Sequence, residues 1–118
     1  MSEFNKALNH IAVYVKQYRN CDTQDGETLN QIIQQLTGTL YYLENERSQF
    51  HKQWQEIVFK GVLAGQSVAK SENEAHVKIP ELYLLRHTME GAYSVVQAIR
   101  TNIYSLERER KDTAKGII

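Results

Sequence analysis

Apolar residues recur along most of this chain at alternating intervals of four and three residues. The longest series begins at Leu29 and ends at Gly61, with Arg47 as its charged member. Its other members are Ile33, Leu36, Leu40, Leu43, Phe50, Trp54 and Ile57. Such spacing repeats about every 3.5 residues, as in a helix that supercoils against a partner helix. The series therefore predicts a long helix over about residues 27–61.

Two further series predict the other long helices. One begins at Leu82 and predicts a helix over about residues 81–111. A shorter one begins at Phe4 and predicts a helix over about residues 3–20. Asp25 lies just before the longest series, where its side chain can cap the first turn of the long helix.

The segment of about residues 62–79 joins two of the long helices and is rich in small residues. Gly61 and Gly65 weaken the helix at its start, and Pro80 disfavours helix at its end. Between these breaks the pattern predicts a short helix. Its expected core-facing residues are Val68, Ala75 and Ile79, and its expected water-facing residues are Lys70, Glu74 and His76. The segment is most simply a joint whose small residues let it pass close to neighbouring helices.

The long helices have apolar stripes that must be covered. An antiparallel pair of the two longest helices buries part of each stripe, and the first helix covers another face. We therefore expect one all-α domain over residues 1–118, an elongated bundle with antiparallel coiled-coil-like helices that a homodimer completes. The residues expected at the dimer interface are Leu36, Leu40, Leu43, Phe50, Trp54 and Ile57. Arg47 has two interpretations. It either fixes the register between partner helices, or its aliphatic part packs against the core while its guanidinium reaches water. The second interpretation is the simpler.

Composition fits this architecture and limits the functions. Of the 118 residues 42% are hydrophobic, which is enough for a core. The 14 basic and 14 acidic residues are spread evenly, so no segment is a basic arm for nucleic acid. The N-terminus lacks the pattern of a signal peptide, no apolar run is long enough to span a bilayer, and the lone Cys21 cannot form an internal disulfide. These features predict a cytoplasmic protein without membrane contact.

The sequence contains no motif for catalysis or cofactor binding. It lacks a phosphate-binding glycine loop, a Cys-x-x-Cys pair and the zinc and serine-hydrolase motifs. Glu72, Glu74 and His76 are the strongest candidates for metal ligands, but the Glu-x-x-His pair of di-iron bundles is missing. We therefore expect no enzyme activity, no cofactor and no metal.

One face of the last long helix mixes tyrosine and arginine at helical spacing. The expected partner-binding residues on it are Tyr83, Arg86, Tyr93, Gln97, Arg100 and Tyr104, and a comparable flank of the longest helix holds Tyr41, Glu44, His51 and Gln55. Tyrosine and arginine are enriched at protein interfaces. The simpler alternative is that the tyrosines border the core with their hydroxyls in water. A nucleic-acid surface is another alternative. It needs five cations of the last helix to converge in a dimer, with Lys52 and Lys60 as optional members: Arg86, Arg100, Arg108, Arg110 and Lys111.

The second half of the chain also carries a family-like pattern. It consists of a Gly-x-Ser-Val-Ala-x-x-Glu-like connector, a tyrosine soon after and a closing run, at Gly65, Ser67, Val68, Ala69, Glu72, Ala75, Tyr83 and Ile103 to Glu109. In these residues the chain resembles small helical proteins of bacteriophages, often encoded near recombination or replication genes. The resemblance covers about residues 44–111 and includes no catalytic motif. It implies a phage origin and the cytoplasm of an infected bacterium.

These patterns together predict a non-enzymatic helical protein that binds another macromolecule, in the first place a protein. With the resemblance added, it acts either as an inhibitor of a host defence complex, by occluding a surface, or as an accessory to phage DNA recombination or replication. The alternative is a helical dimer that binds nucleic acid.

Overall fold

The structure is a computed structural model that describes residues 2–114. It contains four α-helices, which are α1 (Glu3–Asn20), α2 (Gly26–Leu63), α3 (Val68–Lys78) and α4 (Glu81–Ala114). No strand occurs within the described residues, which confirms the predicted all-α class. The limits of the three long helices lie within three residues of the predicted ones. The molecule is elongated, with extents of 72 × 31 × 19 Å.

Three of the helices begin where the sequence supplies an N-cap. At Ser2 for α1, Asp25 for α2 and Ser67 for α3, the side chain accepts a hydrogen bond from the backbone N–H three residues further on. Such a bond satisfies one of the N–H groups that a helix leaves free in its first turn. The predicted cap at Asp25 is thereby confirmed.

Helix α2 ends with a glycine directly after its C-cap residue, Ala64. Gly65 has a φ of 90°, a left-handed conformation that other residues rarely adopt. Its N–H donates to the carbonyl of Val62, and the N–H of Gln66 donates to the carbonyl of Gly61, both over 3.0 Å. This pair of bonds is the Schellman motif, which satisfies the last carbonyls of a helix. The chain reverses here, and α3 runs back along α2.

A three-helix body is formed by α1, α4 and the part of α2 from Gly26 to Phe50. At one end the rings of Phe4 and Phe50 meet with centroids 5.6 Å apart, so α1 is antiparallel to α2. At the other end Gly26 lies beside Leu106, so α4 is antiparallel to α2 as well. All three helices supply fully buried large side chains, namely Ile11, Leu29, Ile32, Leu36, Leu43, Leu85 and Ile99. The body therefore has a continuous aliphatic core.

A two-helix arm is formed by α3 and the rest of α2, residues 51–63. Because α1 begins beside Phe50, it does not extend over the arm. The buried residues that the α3 side contributes are Ser71, Ala75 and Ile79. Gly61 allows the two helices to approach closely, since a Cβ there would collide with Ser71 and with Gln66 Oε1. The prediction that small residues let this segment pass close to a neighbour is confirmed.

Several large apolar residues of the arm lie on its outside. They are Phe59, Val62, Leu63, Val68 and Val77. The expectation that Val68 faces the core is wrong, because this first residue of α3 is 55% exposed. Ser71 and Ala75 instead form the buried face of the helix, one and two turns further on.

The six residues predicted for a dimer interface lie in two settings. Three of them belong to the core of the body: Leu36, Leu40 and Leu43. These leucines are at most 3% exposed, because α1 and α4 of the same chain cover them. Contrary to the prediction, they are packed inside the body and do not form a face for a second copy. Phe50 packs at the edge of the same core, and Trp54 and Ile57 are half-buried in the arm.

Candidate binding groove between two helices

A groove runs between α2 and α4 on the outside of the body. Its volume is about 330 Å³, and its floor consists of Leu40 and Val96, each 3% exposed. The walls are Thr37, Tyr41 and Glu44 on α2 and Tyr93, Gln97 and Arg100 on α4. On each helix the wall residues are four and then three positions apart, a spacing that places side chains on one face. The groove therefore arises where two such faces meet in antiparallel packing.

A hydrogen bond joins the two walls at one end of the groove. The Tyr93 hydroxyl donates to Glu44 Oε1 over 2.7 Å, and Arg47 Nη2 donates to Glu44 Oε2 over 3.3 Å. Burial and then the neighbouring Glu44 raise the pKa of the Tyr93 hydroxyl, so that it stays protonated and keeps donating. The Arg47 side chain is 54% exposed, in agreement with the simpler of its two readings, a head that reaches water.

Arg100 stands at the opposite end of the groove and differs from its neighbouring arginines. Arg86 Nε donates to Glu90 Oε1 over 3.2 Å, and Arg47 is paired with Glu44. Within residues 2–114, no carboxylate lies at ion-pair distance from Arg100. Its guanidinium is therefore available to a carboxylate of another molecule, in the planar geometry that suits bidentate pairing.

The groove brings together three of the six predicted partner-binding residues, Tyr93, Gln97 and Arg100. Tyr83 and Arg86 lie nearer the start of α4, and Tyr104 lies one turn beyond Arg100. These three occupy the same helix face but do not line the groove. The role of Tyr83, Arg86 and Tyr104 in binding stays a prediction. Tyr93, Gln97 and Arg100, in contrast, line one groove.

The tyrosines of the chain divide into two groups. Some pack against the core of the body as partly buried residues: Tyr14, Tyr18 and Tyr42. Others project from the surface, with exposures of 82% for Tyr41, 76% for Tyr83 and 66% for Tyr104. The alternative that the face tyrosines border the core therefore does not describe Tyr83 and Tyr104. Exposed aromatic rings next to an arginine are typical of a protein-binding surface.

Sequence reasoning missed three residues that line the groove, Thr37, Leu40 and Val96. The hydroxyl of Thr37 donates back to the carbonyl of Ile33 over 2.8 Å, so it is already engaged within α2. Thr37 lies four positions before Tyr41, so helical spacing alone could have placed the two residues on one face of α2. Leu40 and Val96 were assigned to core stripes, and periodicity does not show that a core residue also forms the floor of a groove.

Other kinds of site have less support in the geometry. Within the described residues no three side chains of His, Cys, Asp or Glu come together. Of the candidate metal ligands, Glu74 accepts a hydrogen bond from Gln66 over 3.4 Å, and the His76 ring packs 5.9 Å from the Trp54 ring. Burial raises the pKa of the Cys21 thiol, which makes it a poorer nucleophile.

The cations of the nucleic-acid alternative, with its optional members Lys52 and Lys60, lie far apart in a single chain. Arg108 and Lys111 follow Leu106, which lies beside the first residue of α2. Lys52 and Lys60 lie in the arm, and Lys60 is about 50 Å along α2 from that point. One chain therefore does not present these residues as a common basic face.

In the described part of the chain, no helix combines the length and the apolar character that crossing a bilayer requires. The resemblance of residues 44–111 to phage proteins stays a prediction. No family model, no curated protein and no solved structure matches the chain.

Proposed function

We propose that this protein is a non-enzymatic binding module whose groove between α2 and α4 receives a segment of another protein. The observation that carries the proposal is the setting of Arg100. It is a cation without an acidic partner in residues 2–114, and it lies in a groove with an apolar floor and exposed tyrosines. Such a combination of aromatic rings, arginine and buried aliphatic groups is typical of interface hot spots.

The chemistry of the groove defines what fits it. Leu40 and Val96 take an apolar side chain, and Arg100 takes a carboxylate. At the other end Glu44 already accepts hydrogen bonds from Tyr93 and Arg47. The two ends are about 10 Å apart along the helices. The occupant is therefore a protein segment with an acidic side chain next to an apolar one, oriented with its acid towards Arg100.

The phage resemblance suggests two roles for such a module. One is inhibition of a host defence complex, and the other is assistance to phage DNA recombination or replication. Both are roles in which a protein works by occupying a surface, and neither requires catalytic residues. We propose that the module acts in this way in the cytoplasm of an infected bacterium.

The proposal includes a homodimer and coiled-coil-like packing of the long helices. One observation supports it, and a second shows that it is compatible with an open groove. The apolar series of α2 continues through Trp54 and Ile57 into the arm, with the spacing of a supercoiled helix. The apolar side chains exposed around Phe59 are about 27 Å along α2 from Tyr41, so association there leaves the groove open.

The first test is capture of the partner. Tagged protein is incubated with bacterial lysate, with and without nuclease, and retained proteins are identified by mass spectrometry. Affinity for the retained protein is then measured with the variant Tyr41→Ala/Arg100→Ala. We expect it to weaken by at least about 30-fold, since both substitutions remove hot-spot types.

A matched control is Tyr83→Ala/Arg86→Ala, which removes the same two residue types from the part of α4 outside the groove. We expect its affinity to stay within about threefold of the original protein. Equal losses in both variants would extend the site over the whole face. Unchanged affinity of the groove variant would reject the groove. Loss of all captured protein on nuclease treatment would favour the nucleic-acid alternative.

A further inference from the structure

The outer side of the arm carries an unpartnered apolar strip on α2. Phe59 is 65% exposed, Val62 is 42% exposed and Leu63 is 71% exposed. A shallow groove of about 600 Å³ follows this strip, and its lining comes from α2 alone, between Lys52 and Val62. The lining includes no residue of α1, α3 or α4, so no other described helix of the chain covers this side of α2.

The packing of the arm is also incomplete at a polar atom. The indole N–H of Trp54 is buried, yet it has no hydrogen-bond acceptor among the described residues. A buried donor without an acceptor destabilises a fold. Among the described residues, the body contains no buried side-chain nitrogen or oxygen that lacks a hydrogen-bond partner. The arm therefore has two marks of an unfinished layer, an open apolar strip and an unsatisfied donor.

The charges beside the strip identify its occupant. Glu56 and Lys60 are both exposed, and neither makes an ion pair within residues 2–114. They lie two positions before and two positions after Val58. If two copies of α2 pack antiparallel about a two-fold axis at Val58, Glu56 of each copy lies opposite Lys60 of the other. The strip is thus complementary in charge to a second copy of itself.

The same antiparallel register also places Lys52 near an opposite charge and brings the exposed apolar side chains of the two copies together. Lys52 lies six positions before Val58, and Ala64, the C-cap of α2, lies six positions after it. Lys52 of one copy therefore meets the negative end of the α2 helix of the other. Phe59 of the two copies lie within about 3 Å of each other along the axis. The two arms together then make a four-helix assembly, in which each strip is covered by the other.

We propose that the α2 strip around Phe59 and Val62 is the dimer interface, with a second copy of this chain docked antiparallel about Val58. The proposal rests on the homodimer of the proposed function and gives it a surface and a register. It replaces the interface of core leucines that the sequence predicted. The groove between α2 and α4 stays free in both copies.

The test measures the mass of the purified protein in solution as a function of concentration, by sedimentation equilibrium. We expect a dimer at about 100 μM and dissociation on dilution. Phe59→Glu should weaken dimerisation by at least about 30-fold, since it places a charge in the centre of the strip. Val13→Glu is the control, because Val13 is a similarly exposed apolar residue on α1. Helix content by circular dichroism should be unchanged in both.

A charge swap tests the register. Glu56→Lys places two lysines opposite each other, and Lys60→Glu places two glutamates opposite each other. Each variant alone should dimerise about fivefold to tenfold more weakly than the original protein. An equimolar mixture of the two should form heterodimers, because every facing pair is again of opposite sign.

The possible outcomes distinguish failure of this interface from failure of the homodimer proposal. A protein that stays monomeric up to about 100 μM overturns both the homodimer and this interface. A dimer that persists in Phe59→Glu overturns the interface and keeps the homodimer. Dimers that respond to Phe59→Glu but show no preference in the charge-swap mixture overturn the two-fold register at Val58.

Discussion

Helix α2 passes through two regions of the molecule, and they are packed in opposite ways. In the body its buried residues are large aliphatics such as Leu29, Leu36 and Leu43, enclosed by α1 and α4. In the arm its contact with α3 is made through Gly61 and Ser71, which allow close approach but bury little apolar surface. Because burial of apolar surface is the main stabilising contribution, the body should hold most of the folding free energy.

The difference also separates two kinds of surface. The body has a covered core, and its groove is a feature of the finished outside of that core. The arm keeps several large side chains, Phe59 and Leu63 among them, on the outside. A region with large apolar side chains on its outside gains stability when another layer covers them. We therefore regard the body as a folded unit with a binding face and the arm as half of an interface.

The largest expected difference between the regions concerns large side chains. Leu36→Ala should lower the free energy of unfolding by about 2–5 kcal/mol, because Leu36 is fully buried in the body. Phe59→Ala removes a larger side chain, but the effect in dilute protein should stay within about 0.5 kcal/mol, because the ring is mostly exposed. Urea denaturation followed by circular dichroism measures both. Similar losses would mean that the arm has a core of its own.

A smaller effect is expected from adding a methyl group to glycine in each region. Gly38 lies in the body part of α2, and a Cβ added there would have no neighbour within 4 Å. Gly38→Ala should therefore stabilise the protein by up to about 1 kcal/mol. At Gly61 the new Cβ would collide with Ser71, and overpacking outweighs the same gain in helix propensity. Gly61→Ala should destabilise the protein by about 1 kcal/mol.

Amide hydrogen exchange locates these glycine effects. Gly61→Ala should speed exchange in α3 and leave the core amides of α4 protected, because the collision lies within the arm. Gly38→Ala should leave α3 unchanged. Stabilisation by Gly61→Ala would show that α2 and α3 can separate without loss, contrary to the packing of the arm.

The regions also differ in how well the sequence predicted them. Periodicity identified the helices and most of the core because buried positions on one helix recur with its turn. It treated the part of the series around Leu36 and the part around Trp54 alike. Spacing shows which face of a helix is apolar, but it does not show which helix covers that face. Leu36, Leu40 and Leu43 were therefore assigned to a dimer, although α1 and α4 of the same chain cover them.

The groove was also predictable only in part, since the sequence indicated the residues of one wall but not which residues face them. Tyr93, Gln97 and Arg100 share a face of one helix, and helical spacing is enough to place them together. That Thr37 and Tyr41 stand opposite them depends on the register of two antiparallel helices, which a single series does not contain. The bond from Tyr93 to Glu44 spans 49 positions in the sequence, and only packing brings those two residues together.

The smallest expected effect compares the N-caps of the two regions under acid. Asp25 caps α2 in the body, and hydrogen bonds from the Thr28 hydroxyl, at 2.6 Å, and the Thr28 amide, at 3.1 Å, lower the pKa of its carboxyl. Folding thus favours the charged carboxylate, and this stabilisation is present above the pKa of the unfolded chain. It is lost as the pH falls through the lower pKa of the folded protein. Ser67, the cap of α3, has no such charge.

The amide signals of the capped residues report this difference in an NMR titration from neutral pH to about pH 2. The Thr28 amide should shift with a midpoint below the ordinary aspartate pKa of about 3.9, whereas the Lys70 amide, which donates to Ser67 Oγ over 3.2 Å, should not follow it. Asp25→Ser keeps a capping hydroxyl and removes the carboxylate, so it should abolish the Thr28 transition and leave α2 capped. A Thr28 transition that survives in Asp25→Ser would assign it to another acidic group. Matching transitions at both amides would mean that acid loosens the body and the arm together, and the two regions would then unfold as one.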